Sequence, residues 1–171
     1  LPDVYENLEE YEEQHPDVQL QLYETEFQPL YAIYRLDRDW KEVTGKRVWL
    51  NSGAYLVIEQ TEAMVVIDVN TGKAINRNRK QQHLKKVNME AADEIVRQLR
   101  LRNLSGIIMI DFIDMKSKDD EKELLQVMQH YLNGDSKKAV AVDITKLGIM
   151  EITRKKEKNP IFRQISIDIL K

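Results

Sequence analysis

Cysteine is absent from this 171-residue chain, which excludes disulfides, a cysteine nucleophile and any thiolate-held metal. Glycine and proline are also scarce, at six and four, while 42% of residues are hydrophobic and 32% charged. That balance describes a folded globular chain, long enough to bury a core of one or at most two domains. No apolar run approaches the roughly 20 residues that cross a bilayer, and no signal-peptide pattern opens the chain, so a cytoplasmic home is expected. A basic excess is missing too: the net charge is −3, and any nucleic-acid role must rest on local charge. The three histidines, His15, His83 and His130, share no ligand or triad spacing. The chain starts at Leu1 with no methionine before Met64, which suggests a piece of a longer protein.

What is present centres on residues 63–115. Two apolar runs, Met64 to Ile67 and Ile107 to Ile110, each end in an aspartate, Asp68 and Asp111. Unbroken aliphatic runs of this kind suit strands buried on both faces. Between them, Leu84, Asn88, Ala91, Ile95 and Leu99 recur at three or four residues, predicting a helix from Leu84 to Arg102 with one inward face. Strand, helix and strand at this length form a βαβ unit with parallel strands. The fold class expected is therefore α/β, a mixed sheet with a central βαβ unit flanked by helices. Asp68 and Asp111 then leave the same sheet edge, where open parallel sheets bind ligands. Two carboxylates there are a candidate site for a hard cation such as Mg²⁺, which keeps several waters; aspartates that merely end strands are the alternative.

In chain order, residues 1–15 suggest an acidic helix ended by Pro16, Val18 to Tyr23 a short strand, and Pro29 to about Glu42 a second helix. Strands follow at Val48 to Leu50 and Tyr55 to Glu59, with Ser52-Gly53 as their turn. After Asn70 comes a basic loop with Lys73, Arg77, Arg79 and Lys80, either a grip on phosphates beside Asp68 or a solvated charged loop. Ser117 to Asp120 resembles a capping box opening a helix that Gly134 stops. Ala139 to Val142 predicts a strand ending in Asp143, and Ile149 to Thr153 an edge strand. Arg154, Lys155, Lys156 and Lys158 form a basic run, an RNA contact or a solvated tail.

The stretch Val48 to Lys73, with Glu-Ala-Met-Val-Val-Ile-Asp-Val-Asn-Thr-Gly-Lys at its end, then Asn88 to Ile95, Arg97 to Arg102 and Ile110 to Met115 resemble the catalytic region of the ribonuclease E/G family. The likeness runs without evident gaps from Arg47 to Lys156. It implies a DNase I-like catalytic subdomain over residues 44–157, preceded over 1–43 by a helix and strand segment resembling the tail of a ribonuclease H-like subdomain, with 158–171 as a C-terminal tail. It further implies an Mg²⁺-dependent endoribonuclease cutting single-stranded RNA to 5′-phosphate and 3′-hydroxyl ends, with Asp68 and Asp111 as metal ligands and Asn70 in support. The family joins protomers through a cysteine-ligated zinc, from which this cysteine-free chain departs; the resemblance allows a homo-oligomer through parts of the parent protein not present here. The S1 domain and the 5′-end sensor of the family have no counterpart in these residues, and aromatics look sparse beside the Asp68 loop. An RNA-binding or assembly module without catalysis of its own is the alternative reading, and weak RNA affinity with low turnover is expected of these residues alone.

Overall fold

The computed structural model describes residues 8, 11–21, 23, 27–72 and 80–161. It divides into two compact units, Leu1–Asp39 and Trp40–Lys171.

In the first unit, residues 11–14 are helical and a short helix spans Leu30–Ile33. Two expectations fail here. The helix drawn from Pro29 to Glu42 is broken, because Arg35 adopts a left-handed φ of 53° and a new helix, α1 (Leu36–Thr44), starts after it. No strand forms at residues 18–21 or 23. The Leu20 N–H donates instead to the Glu12 carboxylate at 2.7 Å, so a side chain replaces the neighbouring strand that an isolated alternating segment lacks.

Among the described residues the second unit holds one six-stranded sheet and two long helices. Its elements are β1 (Arg47–Trp49), β2 (Tyr55–Gln60), β3 (Met64–Asn70), α2 (Lys80–Leu101), β4 (Gly106–Asp111), α3 (Lys118–Leu132), β5 (Ala139–Ile144) and β6 (Ile149–Arg154). The strand order is β1-β2-β3-β4-β6-β5. β3 and β4 are parallel, joined through α2 as the βαβ pattern requires, and the other pairings are antiparallel. β6 is thus internal, not an edge strand. Its sequence position says nothing of lateral order, and β5 folds back to take the edge.

The burial of the sheet also corrects the reading. Along β3, Val65, Ile67 and Val69 are buried while Val66 is 39% exposed, and in β4 Ile108 and Ile110 are buried while Ile107 is 49% exposed. Among the described residues the helices of this unit cover one face only, with Ala91, Ile95 and Leu99 of α2 and Leu124, Met128 and Leu132 of α3 packed into one core with the inward residues of β2, β3, β4 and β6. Side chains alternate across a strand whatever their chemistry, so apolar residues outside that core, Met64, Val66 and Ile107, stay in solvent.

Local sequence explains the element ends. α2 stops in a Schellman motif: Asn103 takes the left-handed conformation (φ 53°), Leu104 N–H donates to Leu99 O and Asn103 N–H to Arg100 O. Ser117 caps α3 by accepting the Asp120 N–H, and Lys85 of α2 binds Asp120 and Glu123 of α3 at 2.6 and 2.8 Å. Arg154, read from sequence as part of an exposed basic run, is buried. Its guanidinium pairs with Asp135 at 2.7 Å and donates to the Leu104 carbonyl at 2.9 Å. Among the described residues no helix is long and apolar enough to cross a membrane.

Candidate functional site

Parallel pairing between β3 and β4 sets Asp68 directly opposite Asp111. Residues opposite one another on neighbouring strands project to the same face about 4.8 Å apart. Two carboxylates separated by 42 intervening residues in sequence thereby stand side by side at the carboxyl end of the parallel pair. Both are exposed, and they line an open depression of about 320 Å³ with Asn70, Thr71, Phe112 and Asp114.

Each carboxylate is held differently. The Asn70 side-chain amide donates to Asp68 Oδ2 at 2.6 Å, which occupies one oxygen of a carboxylate that lines the depression. Asp111 is steered by the backbone that follows it. Asn88, fully buried on α2, donates from Nδ2 to the Ile113 carbonyl at 2.7 Å and accepts the Ile113 N–H at 3.1 Å. This reciprocal clamp ties the segment after Asp111, including Asp114, to the helix. Asn88 reads from sequence as one more position of the apolar stripe; a lone carboxamide in such a stripe was the signal of a buried polar contact. Asn88→Ala removes the side-chain partner of both Ile113 backbone groups, and a loss of about 2–4 kcal/mol in stability is expected from chemical denaturation.

The electrostatics favour a cation. Burial, followed by the negative charges of Asp68 and Asp114, raises the Asp111 carboxyl above the ordinary aspartate range. Like charges so placed repel until a positive ion joins them. Among the described residues no group of three or more His, Cys, Asp or Glu side chains converges as a metal cage. A pair of carboxylates with water completing the shell is instead what Mg²⁺ accepts, and the all-oxygen donor set fits that ion.

Of the other candidates, Lys73, Arg77 and Arg79 lie outside the described residues, and Lys80 is described only as the first residue of α2. Asp143 shares the sheet edge but is separated from Asp111 by β6, and its Oδ1 accepts the Ile144 N–H at 2.8 Å. Aromatic residues are not sparse here after all: β2 pairs Tyr55 with Asn70, and β1 pairs Trp49 with Tyr55. Sequence distance from Asp68 hid them.

Fold and site together define an α/β protein with a paired-carboxylate centre at the end of a parallel strand pair. The family model described as "Ribonuclease E/G family" matches residues 2–157. Ribonuclease G of Salmonella typhimurium is 38% identical over 134 residues, 78% of this chain and 27% of the relative. Ribonuclease G of Haemophilus influenzae is 40% identical, with 78% and 27% covered, and ribonuclease E of Nostoc is 40% identical, with 78% and 20% covered. The chain belongs to the ribonuclease E/G family. It spans about a quarter or less of the length of these relatives.

Proposed function

We propose that this chain is the catalytic portion of an Mg²⁺-dependent endoribonuclease acting on single-stranded RNA in the cytoplasm, with residues 44–157 as its DNase I-like subdomain. The observation that carries this reading is the in-register placement of Asp68 and Asp111 on neighbouring parallel strands, in a chain of the ribonuclease E/G family. When bound, Mg²⁺ supplies Lewis acidity toward a non-bridging phosphate oxygen and toward water. Asp68 and Asp111 hold the ion, and Asn70 keeps Asp68 from turning away from it. The exposed, open depression admits a phosphodiester to both carboxylates. Water then forms a bond to phosphorus as the bond to O3′ breaks; the 3′ oxygen leaves with a proton, giving a 3′-hydroxyl and a 5′-phosphate. Low turnover is expected of these 171 residues alone, whose match covers 20–27% of the length of the relatives.

The binding half of the proposal is tested by melting the protein in EDTA and then in excess Mg²⁺. A tenfold excess over the dissociation constant raises the parental melting temperature by roughly 3 °C, and Asp111→Asn abolishes that rise. In EDTA at neutral pH the same variant melts at or above the parent. The sign follows from the raised carboxyl of Asp111: its stabilising contribution belongs to the protonated form, present below about pH 4 and lost as pH rises through the folded value. At neutral pH the ionised side chain is a cost that asparagine removes. A variant that still responds to Mg²⁺ like the parent would place the ion elsewhere.

A further inference from the structure

The sheet face that carries the aspartates also carries an aromatic group with no part in holding the ion. Strand register sets Arg47 opposite Val57, Val57 opposite Asp68 and Asp68 opposite Asp111, while the adjacent row runs Trp49, Tyr55, Asn70. At about 4.8 Å per strand, Tyr55 stands one strand and Trp49 two strands from Asn70, itself bonded to Asp68. The Trp49 and Tyr55 rings are 5.1 Å apart at 57°. The Arg47 guanidinium lies 4.5 Å from the Tyr55 ring centre and 5.8 Å from that of Trp49, and among the described residues it makes no ion pair. Cation–π attraction holds the three as a unit. Trp49 is nonetheless 63% exposed, although tryptophan is highly buried on average.

We propose that Arg47, Trp49 and Tyr55 form a stacking platform for one nucleobase of single-stranded RNA beside the phosphate cleaved at Asp68 and Asp111, an inference that rests on the nuclease reading above. Bases stack on aromatic faces and on guanidinium planes, and because every base has a π-face the grip tolerates sequence. The platform is continuous with the metal site. A strand crossing the sheet edge from β4 toward β1 brings a phosphate to the aspartates and its neighbouring base over Tyr55 and Trp49, with the Arg47 charge facing the backbone. Tyr55 is set in place by its pairing with Asn70. Gly72 (φ 68°) packs so closely on the Gly53 carbonyl that a β-carbon there would overlap its oxygen, and the same β-carbon would come within 3.7 Å of the Tyr55 ring.

The test is a double-mutant cycle in the full-length protein, using a short single-stranded RNA and the same RNA lacking the base on either side of the scissile phosphate. Trp49→Leu raises KM for the intact RNA by about tenfold or more, whereas Trp49→Phe keeps most of the affinity. Removal of the base costs the parent a similar factor and costs Trp49→Leu nothing further. The Mg²⁺-induced rise in melting temperature stays parental in Trp49→Leu. Equal discrimination between the two RNAs by parent and Trp49→Leu would overturn the platform while leaving Asp68 and Asp111 in their role. So would a Trp49→Leu effect confined to oligomeric state or melting temperature, because the face would then be covered by polypeptide. Undiminished cleavage by Asp68→Asn would instead overturn the nuclease reading itself.

Discussion

Asp68→Asn or Asp111→Asn lowers RNA cleavage by the full-length protein about 10³-fold or more, with folding retained. A Lewis acid at a phosphoryl oxygen is worth several kcal/mol, and each 1.4 kcal/mol is about a factor of ten in rate. The amide matches the carboxylate in shape but carries no charge to hold a hard cation. Because Asp68 and Asp111 face one another across the parallel pair, each would supply half of the charge that holds the ion under the proposed function, and neither variant should be rescued by the other residue. The double variant is accordingly little slower than the worse single one, since residues acting as a unit are non-additive. Single-turnover cleavage of a labelled single-stranded RNA with saturating Mg²⁺ measures all three. Parental rates in either single variant would remove the pair from the chemistry.

The largest effect on stability is expected far from that site. Asp135→Ala destabilises the second unit by about 3–5 kcal/mol, the cost of leaving a buried charge without its partner. The Arg154 and Asp135 side chains are 2% and 0% exposed in the pair. Two further bonds depend on this corner: Asp135 accepts the Lys137 N–H at 2.9 Å, and Arg154 ties the Leu104 carbonyl at the end of α2 to β6. The melting temperature should fall by roughly 10 °C or more. Burial pushes the Asp135 carboxyl up, but the Arg154 guanidinium and the Lys137 N–H outweigh it and hold it below the ordinary aspartate range. Its contribution is therefore full at neutral pH, present above about pH 4, and lost as pH falls through the lowered folded value. Urea melts at neutral and acidic pH should show the gap between parent and variant closing on acidification. A shift near 0.5 kcal/mol at neutral pH would mean that Arg154 finds another partner.

Much of the second unit could be read from residue order. Leu84, Asn88, Ala91, Ile95 and Leu99 all turn inward on α2, as their spacing required, because a 3.6-residue period is a local property. The two aspartate-ended runs pair in parallel with their carboxylates opposed, because a crossover through one helix admits little else. Ser117 and Asn103 cap helices through contacts within a few residues, and such contacts are legible in a short window.

The misreadings in the second unit share one cause. Whether a strand has neighbours on both sides, or a second layer over its other face, depends on segments remote in sequence. Ile149 to Thr153 therefore looked like an edge yet lies inside the sheet, and Met64, Val66 and Ile107 looked buried yet face solvent. Arg154 looked like one of four surface cations until Asp135 was found against it.

By itself, then, the sequence determined the helical periods, the strand-ending aspartates and the parallel unit joining them, because these follow from short-range geometry and chain connectivity. Only the tertiary structure decided strand order, the open sheet face, the Asn88 clamp, and the approach of Trp49, Tyr55 and Arg47 to the carboxylates. Each of these depends on lateral register between segments whose separation along the chain carries no information about their distance in space.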